Sequence, residues 1–134
     1  MSQLENMDRE ATHAALQERF RKELAELTPE LISTFRKLSQ IIYIWNAHQG
    51  FWESENFGEK VALMHSELSE ALEGHRLGAM SDKIDGFKAE EEEFADVLIR
   101  IFDCVGRFEY SLPEALIRKL IMNLGRPYKH GKAY

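Results

Sequence analysis

The sequence predicts an all-α protein, a four-helix-type bundle with an N-terminal helical extension. Apolar residues recur at helical spacing along almost the whole chain, and no run alternates apolar and polar residues as a half-buried strand does. Only three prolines interrupt the 134 residues, of which 44% are hydrophobic. That length and apolar content are sufficient for one domain with a core of its own.

The first 27 residues are polar with scattered Leu and Ala, and Ala11 to Leu27 have the pattern of a modestly amphipathic helix. We interpret residues 1–27 as an N-terminal helical extension and residues 28–134 as the main domain. Next, Thr28-Pro29-Glu30 supplies a hydroxyl cap, a proline at the first helical position and an acid in the first turn. This tripeptide predicts the start of a core helix that ends near Gly50.

A second core helix is predicted from Asn56 to His75, after an aromatic loop over residues 48–56. On a helical wheel Glu67 lies at the edge of the apolar stripe and Glu70 one step further out. An acid at a stripe edge is partly desolvated and therefore requires a partner. The predicted buried stripe of this helix comprises Val61, Met64, Leu68, Ala71, Leu72 and His75.

Residues 78–86 form a short connection to a third core helix, predicted from Phe87 to Phe108. Glu93 and Asp96 lie on one flank of its apolar stripe, which comprises Phe94, Val97, Leu98, Ile101, Val105 and Phe108. A last helix is predicted from the capping box Ser111-Leu112-Pro113-Glu114 to Gly125, and a basic, aromatic tail follows over residues 126–132.

Two similar hexapeptides carry the candidate chemistry: Glu67-Leu68-Ser69-Glu70-Ala71-Leu72 and Glu93-Phe94-Ala95-Asp96-Val97-Leu98. Acids three residues apart lie about 60° apart around a helix axis, so two facing helices would bring four carboxylates together. Crowded carboxylates raise one another's pKa unless a cation compensates them. Hard divalent cations with oxygen ligands are the usual solution, which predicts a metal site formed by Glu67, Glu70, Glu93 and Asp96.

Other polar residues have less defined predictions. We expect Glu73, Glu90, Glu91 and Glu92 to be solvated, and His48 and His65 to be structural or surface residues. Arg100 and Asp103 are open between a metal or phosphate contact and an intrahelical pair. The basic residues near the C-terminus are open between mere solubility and a polyphosphate site, and Trp52 between the core and a base contact.

Composition excludes several classes of function. A net charge of −6 argues against a nucleic-acid or anionic-membrane surface. One cysteine, Cys104, cannot form an internal disulfide, and the sequence has neither a signal peptide nor a long apolar run. We therefore expect a cytoplasmic protein without a membrane or nucleic-acid partner.

The spacing Glu67-x-x-Glu70, 22 residues, Glu93-x-x-Asp96 resembles the signature of the all-α nucleoside triphosphate pyrophosphohydrolases, the MazG-like superfamily. The resemblance covers about residues 30–132. It implies Mg²⁺-dependent hydrolysis of a nucleoside triphosphate to the monophosphate and pyrophosphate, as in nucleotide-pool housecleaning, by a homodimer or homotetramer. The implied metal ligands are the four acids, with Glu70 also orienting the attacking water. The implied phosphate and sugar contacts are Lys119, Asn123, Tyr128 and Lys129, with Lys60 as a further candidate, and Trp52 stays open between the core and a base contact.

Two other classes of function also use helical bundles. A ferritin-type di-iron bundle requires Glu-x-x-His pairs, and neither hexapeptide has a histidine three residues after its first glutamate. A non-enzymatic helical interaction module, which would use an apolar stripe to bind a partner, stays open as the alternative. Base and sugar preference does not follow from the sequence.

Overall fold

The computed structural model describes the backbone of residues 3–127 and the side chains of residues 9–127. Within that range the chain forms four α-helices and no strand: α1 (Gln3–His48), α2 (Phe57–Leu77), α3 (Ala89–Phe108) and α4 (Leu112–Leu124). The predicted all-α helical bundle is confirmed, whereas the pyrophosphohydrolase kind of bundle stays a prediction. No helix between residues 3 and 127 is long and apolar enough to cross a bilayer.

The chain divides into two compact units. One unit is Phe35–Tyr110, which contains α2, α3 and the second part of α1. The other combines the described residues before Phe35 with those after Tyr110, and so contains the first part of α1 together with α4. Within this other unit the side-chain amide of Gln17 donates to the backbone carbonyl of Leu124.

Helix α1 is continuous through Pro29, so the predicted helix start at Thr28 is wrong. Instead of capping a helix, the Thr28 hydroxyl donates to the carbonyl of Leu24, at 2.6 Å. Proline has no N–H, so the carbonyl of Ala25 loses its usual donor four residues later. Thr28-Pro29 matches the residue pattern of a helix start. The same pattern also occurs inside this helix, so the pattern alone does not distinguish the two positions.

Helix α2 begins and ends where the sequence predicts. Asn56 is its N-cap, and the side-chain oxygen of Asn56 accepts a hydrogen bond from the backbone N–H of Glu59 at 3.0 Å. Gly78 ends the helix in the left-handed conformation with φ of 59°, which glycine adopts without steric cost. The N–H of Ala79 then donates to the carbonyl of Gly74 at 3.0 Å.

The connection between α2 and α3 folds back as a short hairpin. The backbone N–H of Ser81 donates to the carbonyl of Phe87 at 2.9 Å, and that of Ala89 donates to the carbonyl of Ala79 at 3.0 Å. A side chain also closes the start of α3, because Glu91 accepts from the backbone N–H of Lys88 at 2.8 Å. The short connection requires α2 and α3 to be antiparallel neighbours.

Small residues allow α2 and α3 to approach closely. A Cβ added to Gly74 would lie 2.7 Å from the Cβ of Ala89, so that position tolerates no larger residue without movement. Ala71 is also buried, at 3% exposure. The inner face of this helical hairpin therefore consists of small residues together with the acids described below.

The predicted buried stripes are wrong in part, because leucine and phenylalanine positions lie outside the hairpin. His75 is exposed, and the exposed fractions of Leu68, Leu72, Phe94 and Leu98 are 45%, 51%, 53% and 53%. The wheel grouped these residues correctly on one side of each helix. On α2 the buried face is shifted around the helix to Glu67, Ala71 and Gly74, where small residues permit close helix approach. The large apolar side chains stay uncovered in one chain.

Helix α1 packs on α3 within the unit Phe35–Tyr110. A Cβ at Gly106 would lie 2.5 Å from the backbone oxygen of Ser39 and 2.6 Å from the Cβ of Tyr43. The rings of Phe35 and Phe102 meet with centroids 4.2 Å apart. Glycine at position 106 is thus the residue that lets the two backbones come together.

Helix α4 begins after Ser111, as predicted, and Gly125 caps its C-terminal end. The predicted capping box does not form fully, since the Ser111 side chain makes no cap hydrogen bond. Pro113 and Ile117 are the buried residues of this helix. The predicted boundaries of α4 are confirmed.

Candidate metal centre and adjoining cavity

Three of the four predicted acids meet between α2 and α3. Glu67 comes from α2, and Glu93 and Asp96 come from one face of α3. One carboxylate oxygen from each lies within 4.8 Å of the others. Glu67 and Glu93 are each only 7% exposed, and Asp96 is half-buried. We call these three residues the acid cluster.

Glu70 lies outside the three-oxygen group. Its side chain is exposed and accepts a hydrogen bond from the Ser66 hydroxyl at 3.4 Å. The residue is nevertheless close enough for its charge to raise the pKa of Glu93. The structure thus places Glu70 beside the acid cluster, one helical turn from Glu67, and on the solvent side.

Burial dominates the electrostatics of the cluster. It raises the pKa of Glu93 to about 7, with further contributions from a hydrogen bond to Glu67 and the charge of Glu70. Burial also raises the pKa of Asp96, and the charge of Glu67 adds to that effect. Among the described residues, no group bonds to the buried Oε2 of Glu93. An ionised carboxylate in this position requires a cation.

Arg100 compensates one member of the cluster from the next turn of α3. Its Nε and Nη2 atoms both approach Oε1 of Glu67, at 2.7 Å and 2.5 Å. Both contacts use the same carboxylate oxygen, so Glu67 retains its other oxygen as an acceptor. The sequence left Arg100 open between a ligand contact and an intrahelical pair, and the structure instead pairs it with an acid of α2.

Glu92 is buried at 6% exposure, so the prediction that it is solvated is wrong. Its carboxylate accepts from the Ser81 hydroxyl and pairs with Lys83 Nζ at 2.6 Å. The Lys83 hydrogen bond, followed by the Ser81 hydrogen bond, lowers the pKa of Glu92. The connection between α2 and α3 folds over the first turn of α3 and buries this side chain. No local sequence pattern predicts that the connection folds back in this way.

Lys83 is the second cation near the cluster. Its hydrogen bond and ion pair with Glu92 raise the pKa of Lys83, and the charges of Glu93 and Asp96 act in the same direction. In return, the charge of Lys83 opposes the increase in the pKa of Glu93 and of Asp96. Sequence reasoning did not select Lys83, because its proximity depends on the folded connection.

A cavity of about 620 Å³ adjoins the acid cluster within the unit Phe35–Tyr110. Asp96 and Arg100 line one part of its wall, and Asn46, Lys60 and Asp103 line others. This volume is within the range of small-molecule sites in proteins, about 300–1,000 Å³. The candidate metal centre therefore opens into a space of ligand size.

Trp52 and Lys60 anchor the loop before α2, which contributes Gly50, Phe51 and Ser54 to the cavity wall. Trp52 Nε1 donates to Asp103 Oδ1 at 2.8 Å, and its ring meets the edge of Phe108 at a centroid distance of 5.7 Å. Lys60 Nζ lies 4.2 Å from the centre of the Trp52 ring and donates to the carbonyl of Phe51 at 2.7 Å. Both predicted substrate contacts thus have structural partners, and Lys60 is the one that lines the cavity.

The remaining predicted substrate contacts lie elsewhere. Lys119 and Asn123 belong to α4, in the unit that does not contain the acid cluster. Asn123 lines a groove with apolar residues of α1 and α4, and its buried Oδ1 has no hydrogen-bond partner in the described part of the chain. Tyr128 and Lys129 lie outside the described residues.

No protein-family model, curated protein or solved structure matches this chain.

Proposed function

We propose that this chain is a Mg²⁺-dependent nucleoside triphosphate pyrophosphohydrolase that releases a nucleoside monophosphate and pyrophosphate. The observation that supports the proposal most strongly is the acid cluster, with three carboxylate oxygens within 4.8 Å beside a cavity of about 620 Å³. The proposed role is removal of (deoxy)nucleotides from the cellular pool, which fits the resemblance of the acid motif to the MazG-like superfamily.

The donor set of the cluster fits a hard divalent cation. All three groups are carboxylates, and Mg²⁺ is typically held by one or two carboxylates together with substrate phosphates. The unpartnered buried Oε2 of Glu93 is the kind of acceptor that such an ion satisfies. Glu67, Glu93 and Asp96 would hold the metal, with Glu70 as a fourth ligand. When bound, Mg²⁺ neutralises the charge that develops on the pyrophosphate leaving group.

The exposed acid beside the cluster has a separate proposed role. Glu70 is solvent-accessible and neighbours the buried carboxylates. It is therefore placed to orient a water molecule and to accept its proton as the bond between the α and β phosphates is cleaved. Arg100 holds Glu67 in position through two short contacts, which preorganises the ligand before substrate binds.

The resemblance of the acid motif also implies phosphate and sugar contacts from Lys119, Asn123, Tyr128 and Lys129. Lys60 lines the cavity itself. Trp52 does not line the cavity, so its proposed role is to hold Asp103 through a hydrogen bond and not to contact the base directly.

We also propose that the working form is a homodimer or homotetramer. Large apolar side chains stay exposed on several helices of one chain, and extensive apolar surface of this kind marks an association site. A symmetric partner would cover these residues. Examples on α1, α2 and α3 are Ile41 at 65%, Ile44 at 62%, Trp45 at 60%, Leu72 at 51%, Phe94 at 53% and Leu98 at 53%.

Pyrophosphate release tests the enzymatic proposal directly. The purified chain is incubated with each common nucleoside and deoxynucleoside triphosphate, with and without Mg²⁺, and the products are identified as monophosphate and pyrophosphate. Glu70→Gln is expected to reduce turnover by at least about a hundredfold, as loss of a general base does. Glu73→Gln is the matched control, because Glu73 is an exposed acid of the same helix.

The result also separates enzyme from interaction module. Metal-dependent turnover that falls in Glu70→Gln and not in Glu73→Gln supports the enzyme. Absence of turnover on every nucleotide by a folded, oligomeric chain would contradict it. The helical interaction module, which the exposed apolar residues equally favour, would then be the better account.

A further inference from the structure

The cavity extends along one face of α3, away from the acid cluster. Asp96, Arg100 and Asp103 all line it, and they follow one another at intervals of four and three residues, which places them on the same side of the helix. Seven residues of helix cover about 10 Å. If the phosphates of a nucleotide lie at the acid cluster, beside Asp96, then its base would lie at the other end of the cavity, beside Asp103.

Asp103 is an unusual residue for that far end, because it is an acid at 5% exposure. One of its oxygens, Oδ1, accepts the indole N–H of Trp52 at 2.8 Å, which fixes the orientation of the carboxylate. A carboxylate has about four acceptor sites and no donor. Asp103 also lines the cavity, so a ligand bound there lies next to a group that only accepts hydrogen bonds.

Acceptors without donors discriminate between nucleobases. A carboxylate accepts from an exocyclic amino group, as in the contact of Asp or Glu with the N4 amino group of cytosine. The same carboxylate is repelled by a carbonyl oxygen at the equivalent position, as in uracil. Asn46 lines the same cavity from α1, and its amide can donate as well as accept. Asn46 therefore complements the mixed donors and acceptors of a base edge.

We propose that Asp103 is the specificity-determining residue of this site and that it selects nucleotides whose base carries an amino group at C4 of a pyrimidine or at C6 of a purine, that is, cytosine or adenine. Trp52 acts as a positioning residue through its hydrogen bond to Asp103. The inference rests on the proposed function for the identification of the ligand as a nucleotide. It goes further by naming the class of base and the carboxylate that reads it.

Binding of nucleoside monophosphates tests this inference without requiring catalysis. Isothermal titration calorimetry on the full chain compares CMP with UMP and AMP with IMP, because the members of each pair differ mainly by an amino group in place of a carbonyl. The amino-bearing member is expected to bind about tenfold tighter or more, the discrimination typical of a direct base contact. Equal affinity within both pairs, or tighter binding of UMP and IMP, would overturn the inference.

A variant identifies the residue responsible. Asp103→Asn replaces a pure acceptor by an amide that both donates and accepts, so the ratio of CMP to UMP affinity should fall to within about threefold. Asp85→Asn is the matched control, because Asp85 is an exposed aspartate on the connection between α2 and α3, and it should retain the wild-type ratio. An unchanged ratio in a folded Asp103→Asn variant would refute the role of Asp103. Should that variant fail to fold, the comparison of nucleotide pairs on the wild-type chain still decides the base preference.

Turnover separates this inference from the proposed function. A chain that hydrolyses CTP and UTP with the same kcat/KM retains the proposed function and loses the base preference. A chain that prefers CMP through Asp103 but releases pyrophosphate from no triphosphate loses the proposed function and retains the base preference. Failure to bind any monophosphate or hydrolyse any triphosphate contradicts both.

Discussion

The acid cluster makes a prediction that needs no substrate: a divalent cation should stabilise the fold, and Glu93→Gln should abolish that stabilisation. A ligand that binds the folded state alone, at a hundred times its Kd, contributes about 2.7 kcal/mol. For a chain of 134 residues, 1 kcal/mol corresponds to roughly 4 °C in Tm. Saturating Mg²⁺ or Mn²⁺ should therefore raise Tm by about 10 °C.

The same variant should have the opposite effect on the metal-free protein. The pKa of Glu93 is raised to about 7 from its ordinary value of 4.5, so the folded state favours the protonated acid. The stability that this preference contributes is fully present below pH 4.5 and is lost as pH rises through 7. At pH 8 the buried ionised group costs about 3 kcal/mol relative to acid pH, and neutral glutamine removes most of that cost.

Differential scanning fluorimetry at pH 8 and pH 5, with and without metal, measures both effects. The wild type should lose stability between pH 5 and pH 8 without metal and regain it with metal at pH 8. Glu93→Gln should have the higher metal-free Tm at pH 8 and no response to metal. Glu91→Gln is not a suitable control because Glu91 caps α3, so exposed Glu73→Gln serves instead. A Glu93→Gln variant that still responds to metal as the wild type does would refute the site.

Three further predictions concern packing and assembly. Gly106→Ala should lower the free energy of unfolding in urea by about 3 kcal/mol, because the new Cβ would lie 2.5 Å from the backbone oxygen of Ser39. Gly58→Ala is the control, since the nearest atom to its new Cβ is 3.4 Å away. An equal loss in both variants would contradict the close approach of the two backbones at Gly106. Ser39→Ala should leave stability unchanged or raise it by about 1 kcal/mol, since the buried Ser39 hydroxyl has no partner among the described residues; a large loss would show that the hydroxyl is bonded. Leu98→Glu should convert an oligomer to monomers in size-exclusion chromatography with light scattering, because Leu98 is 53% exposed in one chain. If the oligomer survives both Leu98→Glu and Leu72→Glu, it must use another surface.

Local signals predicted much of this fold because they act within a few residues. Asn56 caps α2 through its own side chain, and Gly78 ends the helix because it adopts positive φ. The acid pairs were recognisable because a spacing of three residues determines their angular separation on any helix. Signals of this kind do not depend on what packs against the helix.

The features that were predicted wrongly depend on tertiary packing. A helical wheel groups Leu68 with Leu72 but does not say which side of the helix finds a neighbour. That choice depends on the close contact between Gly74 and Ala89, which is 15 residues away in sequence. Glu92 is similar, because its burial depends on how the connection bearing Ser81 folds back. Neither the contact between Gly74 and Ala89 nor the contact between Ser81 and Glu92 can be predicted from a local sequence pattern.

Charge balance explains why the acids can occupy the inside of the hairpin at all. Arg100 pairs with Glu67, and Lys83 pairs with Glu92, so two of the buried carboxylates have their own cation. Glu93 and Asp96 form no ion pair within residues 9–127, and they are the two acids whose pKa burial raises. Their uncompensated charge of two equals the charge of one divalent cation. A hairpin whose inner face lacks two compensating positive charges can be stable without metal when these groups are protonated. Near neutral pH we expect a bound cation to increase its stability.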